Sequence, residues 1–379
     1  MRILRATLRG FVLPLVRPLE TAHGPVLARR GWLVELEGEG GVRGFGEATP
    51  LASFGTEAPE TCLRVLSREC DRLVSGRSSS PGTLWGATVG APCARAALET
   101  ARFDLEARLR GVSMAQWLTE QESVPGTAAP LVATQALISG GDPADVEARA
   151  RAARVAGFEA FKLKLAVPPH ASDVARDVDR VAALRAAVGS GATVRLDANE
   201  AWGGVEEAAA ALAALSRFDV DFVEQPVRRD DLASLGRLAR EGAIPVAADE
   251  ALQGEGLSAF LDARAATILV VKPAAIGGFG PSMRLARRAR EEGWRVIWST
   301  LIDGATGRGA ALALASAFGA RGEVHGLGTA RLLGADLGGE CESVSAGWLR
   351  TWDRPGLGFQ PEVPPSCAEG PPLRFEAVS

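Results

Sequence analysis

Short apolar runs alternate with amphipathic stretches along the C-terminal two thirds of the chain. From about residue 131, each run rich in Val, Ile, Leu or Phe is followed by an Ala/Leu/Arg-rich stretch with helical spacing, which is the βα pattern of a parallel sheet. Eight such units favour a closed (β/α) barrel over an open, doubly wound sheet. The predicted strands are residues 131–137, 158–164, 193–197, 220–224, 245–249, 266–272, 295–300 and 322–328.

The first part of the chain breaks this rhythm. An N-terminal strand, a loop at 21–31, a glycine-rich hairpin turn at 38–46 and helical stretches predict a separate α+β domain over residues 1–125. The barrel would then span 126–340. The Pro- and Gly-rich tail, from 341 to 379, lacks helical spacing, and we expect it to pack back on the first domain.

Composition narrows the class of protein. With 47% hydrophobic and 23% charged residues and a net charge of −4, the chain is a globular protein with no electrostatic attraction to nucleic acid or to an anionic membrane. No apolar run approaches a membrane span, and the N-terminus lacks a signal-peptide pattern, so we expect a cytoplasmic location. The five cysteines are scattered and form no CxxC pair, which favours neither disulfides nor a thiolate zinc site. The sequence leaves the oligomeric state open.

Polar side chains collect where the predicted strands end, which is where a (β/α) barrel builds its active site. Lys and Arg together number 42, yet lysine accounts for only three of them, and asparagine occurs once. All four of these rare residues lie at strand ends, and lysine can release its proton whereas arginine cannot. The candidate site residues are Lys162, Lys164, Asp197, Asn199, Glu224, Asp249, Glu250, Lys272, Ser299, Thr300 and Asp303.

Three of the candidates are carboxylates on successive strands. Asp197, Glu224 and Asp249 would lie side by side, and without a cation they would repel one another and raise their own pKa values. Oxygen ligands with room for substrate suit Mg²⁺, with Mn²⁺ as a substitute. The alternative is that these carboxylates form salt bridges with local arginines such as Arg195.

The lysines suggest proton chemistry. Lys162 and Lys164 are two residues apart on one strand, so both face the barrel interior, where each disfavours the protonation of the other. One of them can then be neutral near pH 7 and act as a base. Lys272, on the sixth of eight strands, would lie across the ring from this pair. A lysine on each side of a small carboxylate substrate suits removal of the proton α to that carboxylate.

Five motifs resemble those of the enolase superfamily, in its muconate-lactonizing-enzyme subgroup, and within that subgroup the o-succinylbenzoate synthase family. They are FKLKLA, VRLDANEAW, FVEQPV, VAADEAL and VVKPAAIGG, in this order. The resemblance implies a modified TIM barrel with an N-terminal α+β capping domain. The segment at 17–31 resembles the specificity loop of that domain, and His23 within it is implied as a substrate contact.

The resemblance also implies roles for the candidates. Asp197, Glu224 and Asp249 would bind Mg²⁺, and Lys164 would be the general base whose conjugate acid protonates the departing hydroxyl. Lys272 would face the other side of the substrate. The resemblance further implies that Lys162 tunes the proton affinity of Lys164 and that Asn199 helps to order the metal site. Glu250 would support that site without binding the metal itself.

The implied reaction is dehydration of 2-succinyl-6-hydroxy-2,4-cyclohexadiene-1-carboxylate to 2-succinylbenzoate, a step of menaquinone biosynthesis. Ser299, Thr300 and Asp303 would lie near the succinyl end, although Asp303 stands where the family usually has Glu. The segment HGLGTARLL lacks the DxD of dipeptide epimerases, which disfavours that activity. N-succinylamino-acid racemization, or both activities together, remains the alternative, and a non-catalytic anion-binding barrel is a third.

Overall fold

The computed structural model describes residues 1–19, 25–76, 90–121, 128–165, 173–253, 256–338 and 344–377. Both predicted domain boundaries, at 125/126 and 340/341, lie outside these residues, as does His23. The N-terminal part forms an antiparallel sheet covered by helices. Its elements are strands β1 (Ile3–Leu19), β2 (Val26–Gly38) and β3 (Arg43–Ala48) and helices α1 (Pro59–Val74), α2 (Pro92–Arg110) and α3 (Met114–Gln121).

The remaining strands begin with a curled parallel sheet and end with short tail strands. They are β4 (Leu131–Thr134), β5 (Ala136–Ile138), β6 (Ala160–Lys164), β7 (Thr193–Asp197), β8 (Val220–Glu224), β9 (Val246–Ala248), β10 (Ile268–Val271), β11 (Arg295–Trp298), β12 (Val324–His325), β13 (Val344–Ser345), β14 (Trp348–Arg350) and β15 (Leu373–Glu376). Strands β5 to β11 pair in parallel and in chain order. Each predicted strand therefore corresponds to an observed one.

Helices alternate with these strands. They are α4 (Pro143–Val155), α5 (Val174–Val188), α6 (Val205–Leu215), α7 (Leu232–Glu241), α8 (Gly256–Ala263), α9 (Pro273–Ile276), α10 (Phe279–Glu292) and α11 (Ala305–Phe318). Local signals fix several helix starts: Asp142, Asp173 and Asp231 each accept a hydrogen bond from the backbone N–H three residues on. None of the helices that the structure describes has the length and apolar character of a membrane span.

The first predicted strand of the parallel sheet divides at Gln135. Its first half, β4, pairs in parallel with β12, whereas its second half, β5, pairs with β6. A further parallel bridge joins Ser299, just beyond β11, to Gly326, just beyond β12. The two edges of the seven-stranded sheet are therefore connected through the short strand β12, and the sheet curls so that its strand ends form one rim.

Two predictions for the N-terminal part differ from the structure. Residues 26–31, predicted as loop, belong to β2, because β1 and β2 form a long hairpin in which Pro14 pairs with Ala28. The glycines at 38–46 do not all serve the turn: Gly40 and Gly41 have φ values of 75° and 74° there. Gly46 lies within β3, where a Cβ would come to 1.9 Å from the carbonyl oxygen of Ala97 on α2. That glycine allows close approach of the helix.

The C-terminal tail, predicted to pack back on the first domain, contacts both parts. Strand β14 pairs with β4 beside the parallel sheet, and β15 pairs with β1 in the antiparallel sheet. The sheet order of the N-terminal part is therefore β15-β1-β2-β3.

Two buried glutamates from the N-terminal part cap helices of the other part. Glu47 accepts hydrogen bonds from the backbone N–H of Gly304 at 2.5 Å and of Gly307 at 2.8 Å, at the start of α11. Glu99 accepts one from the N–H of Gly280 at 3.0 Å, at the start of α10. Both helices begin after a glycine, which has no side chain to cap them, so the other domain supplies a capping carboxylate to each. At α11, Asp336 of the same domain also accepts a hydrogen bond from the N–H of Ala305, at 2.8 Å.

Candidate active site

The candidate residues lie on neighbouring strands at one level of the sheet. Lys164 is in register with Asp197, and Asp197 is in register with Glu224. Asp249 and Lys272 directly follow β9 and β10. In the sheet order, the three strands that carry or precede the carboxylates lie between those of Lys164 and Lys272. The rim therefore has a lysine at each end of a row of carboxylates.

Lys162 is the most tightly held of the three lysines. Its buried ammonium lies 2.6 Å from Oε2 of Glu224 and 2.9 Å from Oδ2 of Asp197. Burial disfavours this charge, but the two carboxylates outweigh burial and raise the pKa of Lys162. Lys162 is therefore not the neutral member of the lysine pair. Burial likewise opposes the charge of Asp197, yet Lys162 and Lys164 hold the pKa of Asp197 below its usual range.

Lys164 is held more loosely. Its ammonium donates a hydrogen bond to Oδ1 of Asn199 at 2.9 Å and lies 3.7 Å from Oδ2 of Asp197. Asn199 adopts the left-handed backbone conformation, with a φ of 46°. Its side-chain Nδ2 donates a hydrogen bond to Glu250 at 3.4 Å. Burial raises the pKa of Glu250 to about 7. All three lysines line a cavity at the rim, and Lys164 has the most exposed side chain of the three, at 15%. Because it is also the one without a close carboxylate partner, it is the lysine best placed to reach a substrate proton.

Lys272 lies between a carboxylate and an aromatic ring. Its ammonium is ion-paired with Asp249 and lies 4.1 Å from the ring centroid of Phe54, which the N-terminal part contributes. Burial opposes the charge of Lys272, but Asp249 and Glu224 outweigh it and raise the pKa of Lys272. Lys272 is therefore a retained positive charge at the cavity.

The oxygen atoms of Asp197, Glu224 and Asp249 are ligands of the kind that a divalent cation binds, but their arrangement in this structure is not that of a metal site. Within the described ranges, no three Asp, Glu, His or Cys side chains stand ready to hold a metal ion, and lysines occupy carboxylate oxygens instead. Oε1 of Glu224, however, is buried and has no hydrogen-bond partner in the described part of the chain. Burial and the nearby Asp197 raise the pKa of Glu224 to about 8, which means that its negative charge is disfavoured. A bound cation would stabilise that charge. The donor set therefore fits Mg²⁺.

Arg195 does not neutralise these carboxylates. Its guanidinium is bound to Asp221 at 2.9 Å and to Glu323 at 2.7 Å. The alternative in which local arginines pair with the row of carboxylates is therefore wrong for Arg195, because that side chain is already engaged elsewhere.

Gln225 is a site residue whose role sequence reasoning missed. Its buried Oε1 accepts hydrogen bonds from the backbone N–H of Asp249 at 3.0 Å and of Ala251 at 3.1 Å, which fixes the turn after β9. Gln225 itself has a φ of 40°. The FVEQPV motif contains this glutamine, but its hydrogen-bond partners follow the neighbouring strand β9 and cannot be identified from the motif alone.

The cavity above the rim has a polar floor and a mostly apolar side. Ser299 and Thr300 line it, and Thr300 shares a 3.0 Å hydrogen bond with Thr329. From the N-terminal part come Leu19, Val26, Leu51, Ser53 and Phe54.

The carboxylate of Asp303 is bound outside this cavity. Its carboxylate accepts hydrogen bonds from Oγ1 of Thr49 at 2.8 Å and from the N–H of Leu301 at 3.0 Å. The chain turns at Ile302, whose φ is 60°, so that Asp303 contacts the N-terminal part. Asp303 is therefore not among the residues that line the described cavity, and its predicted position near the succinyl end of a substrate stays a prediction.

Family comparison agrees with the two-part architecture and the rim. Residues 145–364 match the family described as enolase C-terminal domain-like, and residues 6–119 match the N-terminal domain of mandelate racemase and muconate lactonizing enzyme. The chain belongs to the enolase superfamily. The five motifs are thus those of an enolase-superfamily enzyme, and members of this superfamily bind Mg²⁺.

Curated relatives within the superfamily have several activities. Muconate cycloisomerase 1-2 of Acinetobacter lwoffii is 31% identical over 322 residues, which cover 81% of this chain and 79% of the relative. The o-succinylbenzoate synthase of Thermobifida fusca is 30% identical over 321 residues, covering 84% and 80%. The N-succinyl-L-Arg/Lys racemase of Bacillus cereus is 23% identical over 368 residues, covering 95% of each chain.

Solved structures share the whole fold. The substrate-liganded L-Ala-D/L-Glu epimerase of Bacillus subtilis has a TM-score of 0.83 and 25% identity, covering 95% of this chain and 99% of its own. The dipeptide epimerase of Enterococcus faecalis V583, complexed with Mg and a dipeptide, has a TM-score of 0.85 and 23% identity, covering 95% and 100%. The superfamily is therefore shown, whereas these relatives differ in reaction.

Proposed function

We propose that this enolase-superfamily enzyme is a lyase that dehydrates 2-succinyl-6-hydroxy-2,4-cyclohexadiene-1-carboxylate to 2-succinylbenzoate, a step of menaquinone biosynthesis. The observation that carries the proposal is the row of Asp197, Glu224 and Asp249 between Lys164 and Lys272. This row provides a site for the carboxylate of a substrate. In the proposal, the amine of Lys164 lies beside the α-carbon of that substrate.

In this proposal the chain's own groups divide the work. Asp197, Glu224 and Asp249 hold Mg²⁺, which when bound supplies positive charge to the substrate carboxylate as negative charge develops there. Lys164, in its neutral form, removes the α-proton, and its conjugate acid gives that proton to the departing hydroxyl, so that water leaves. Lys162 keeps its charge beside Asp197 and Glu224. Gln225 and Asn199 hold the backbone and side chains of the row in place.

Lys272 acts in this proposal through its charge. It is paired with Asp249 and lies over Phe54, an environment that retains a cation rather than releasing a proton. A cation opposite Lys164 stabilises the anionic intermediate across its ring face. The gain of aromaticity favours the elimination, so a second proton-transfer group is not needed.

The residues at the end of β12 favour a substrate that has no ammonium group. Where dipeptide epimerases of the subgroup have DxD, this chain has glycines in GLGT, and Gly326, Gly328 and Thr329 line the cavity. A buried ammonium needs a partner carboxylate, and this corner offers hydroxyl and amide groups instead. The mostly apolar side facing it suits a carbocyclic ring.

The second candidate is racemization of N-succinylamino acids, alone or beside dehydration. The specific observation that favours it is that lysines stand at both ends of the row, since racemization needs a proton donor or acceptor on each face of the substrate. The racemase of Bacillus cereus is a relative over nearly the whole chain.

A direct assay separates the two candidates. The purified, Mg²⁺-loaded protein is given the cyclohexadiene substrate and, separately, a panel of N-succinyl-L-amino acids. We expect the higher kcat/KM for the former. A higher kcat/KM for any N-succinylamino acid would overturn the proposal in favour of the racemase.

A further inference from the structure

Arg229 links the N-terminal part to the catalytic rim. It lies in the loop after β8, and its guanidinium engages Glu200 through Nε at 3.1 Å and through Nη2 at 2.7 Å. Its backbone N–H also donates to Glu200, at 2.6 Å. The remaining nitrogen, Nη1, donates to the carbonyl oxygen of Phe54 at 3.1 Å. One side chain therefore connects the rim to a loop of the other part.

The loop is packed directly against this guanidinium. Residues Ala52–Phe54 form one turn of 3₁₀ helix that ends at Gly55, whose φ is 107°. A Cβ at Gly55 would come to 2.6 Å from Nη1 of Arg229, so only glycine lets the backbone lie this close. The turn in question presents the Phe54 ring to Lys272.

The other end of the link is the strained turn that holds Asn199. Asn199 and Glu200 are consecutive residues with φ values of 46° and 64°, in the left-handed region that disfavours side chains. The turn directs Asn199 to Lys164 and Glu200 to Arg229. The bonds of Glu200 to Arg229 offset the cost of this conformation.

We propose that Arg229 is a positioning residue that holds Phe54 over Lys272 by bridging Glu200 and the Phe54 carbonyl. Arg229 acts through Phe54, and without this bridge the loop at 51–55 leaves the cavity for part of the time. Lysine cannot replace it, because one ammonium lacks the fork that reaches both partners.

A proteolysis experiment tests the bridge without any assumption about activity. Chymotrypsin cleaves after large apolar residues, and native-state cleavage tracks the population of open loop. We expect the fragment ending at Phe54, identified by mass spectrometry, to form roughly 10-fold faster in Arg229→Gln, the scale of a lost hydrogen bond to a charged group. Arg229→Lys keeps a charge for Glu200 and should be cleaved like Arg229→Gln. Wild-type cleavage rates in both variants would overturn the proposal.

The neighbouring Arg228 provides a matched control. Its exposed side chain pairs with Asp230 within the same loop. Arg228→Gln removes the same charge one residue away, and we expect wild-type cleavage after Phe54. Equal acceleration in Arg228→Gln and Arg229→Gln would overturn the proposal, because the effect would then be one of net charge.

A double-mutant cycle tests whether Arg229 acts through Phe54, and this part rests on the proposed function. In the dehydratase assay we expect Arg229→Gln and Phe54→Leu each to lower kcat/KM roughly 10-fold, and the double variant to be no more than about threefold worse than either. Losses that multiply to about 100-fold would overturn the link. If the wild type has no dehydratase activity, the proposed function fails, while the cleavage rates still decide on the bridge.

Discussion

Lys164 donates a hydrogen bond to Asn199, the single asparagine of the chain, at 2.9 Å. This bond joins the proposed base to a neutral acceptor. Lys162, two residues earlier on the same strand, is instead bound by two carboxylates. The two lysines of the FKLKLA motif both line the cavity but differ in their partners: two carboxylates fix the charge of Lys162, whereas Lys164 is hydrogen-bonded to a neutral amide.

The first prediction concerns Lys164→Arg. The substitution keeps the positive charge but removes the releasable proton, so kcat should fall by roughly 100-fold or more, the scale of general acid–base catalysis. Steady-state kinetics measures this, and an unchanged thermal unfolding midpoint shows that the fold is kept. A kcat near the wild-type value would show that another group removes the proton.

Lys272→Arg separates two roles for the second lysine. If Lys272 acts as a cation, arginine preserves the charge, and appreciable dehydratase activity should remain. Racemization requires proton transfer on that face, so activity on N-succinylamino acids should disappear in the same protein. Loss of both activities in a folded variant would assign Lys272 an obligate proton-transfer role.

Chelation tests the metal. Treatment with EDTA should abolish turnover, and Mg²⁺ added in excess should restore it, with Mn²⁺ as a partial substitute. Since binding to the folded state raises stability, added Mg²⁺ should also raise the unfolding midpoint of the stripped protein. Glu224→Gln removes a ligand charge and should remove that rise. Full activity after exhaustive chelation would contradict the metal assignment.

Glu47 should make stability depend on pH. Burial and the neighbouring Asp303 raise the pKa of Glu47 to about 8. The folded protein then retains a proton that the unfolded chain releases near pH 4.5, so this group's contribution to stability is full below pH 4.5 and is lost as pH rises through 8. Glu47→Gln should remove this contribution, so that denaturant unfolding at pH 5 and pH 8.5 differs less in the variant than in the wild type. Equal differences would contradict the raised pKa.

Gly46→Ala should destabilise the N-terminal part. The added methyl would collide with the backbone of α2 at Ala97, and overpacking of this kind costs about 1–3 kcal/mol. Thermal unfolding measures the loss. Gly191→Ala is the matched control, because its Cβ would meet no atom within 4 Å. A Gly46→Ala protein as stable as the control would show that β3 and α2 can separate at little cost.

The rim was predictable because its signals are local. Each strand is an apolar run that closes on a polar residue, as with Asp197 and Glu224, and parallel pairing brings such ends together whatever the details of the loops. The contacts that complete the site are not local. Phe54 meets Lys272, and Asp303 meets Thr49, across more than half of the chain, and no periodicity in either segment indicates its partner.

The helix caps supplied by Glu47 and Glu99 make the two domains poor candidates for exchange. Helices α10 and α11 begin after glycines, and carboxylates of the other domain accept hydrogen bonds from the N–H groups of Gly280 in α10 and of Gly304 and Gly307 at α11. A chimera that joins this catalytic domain to a relative's N-terminal domain inherits two incomplete helix starts unless carboxylates are grafted at both positions. Swapping domains to alter specificity therefore means carrying over these two residues along with the loops that contact substrate.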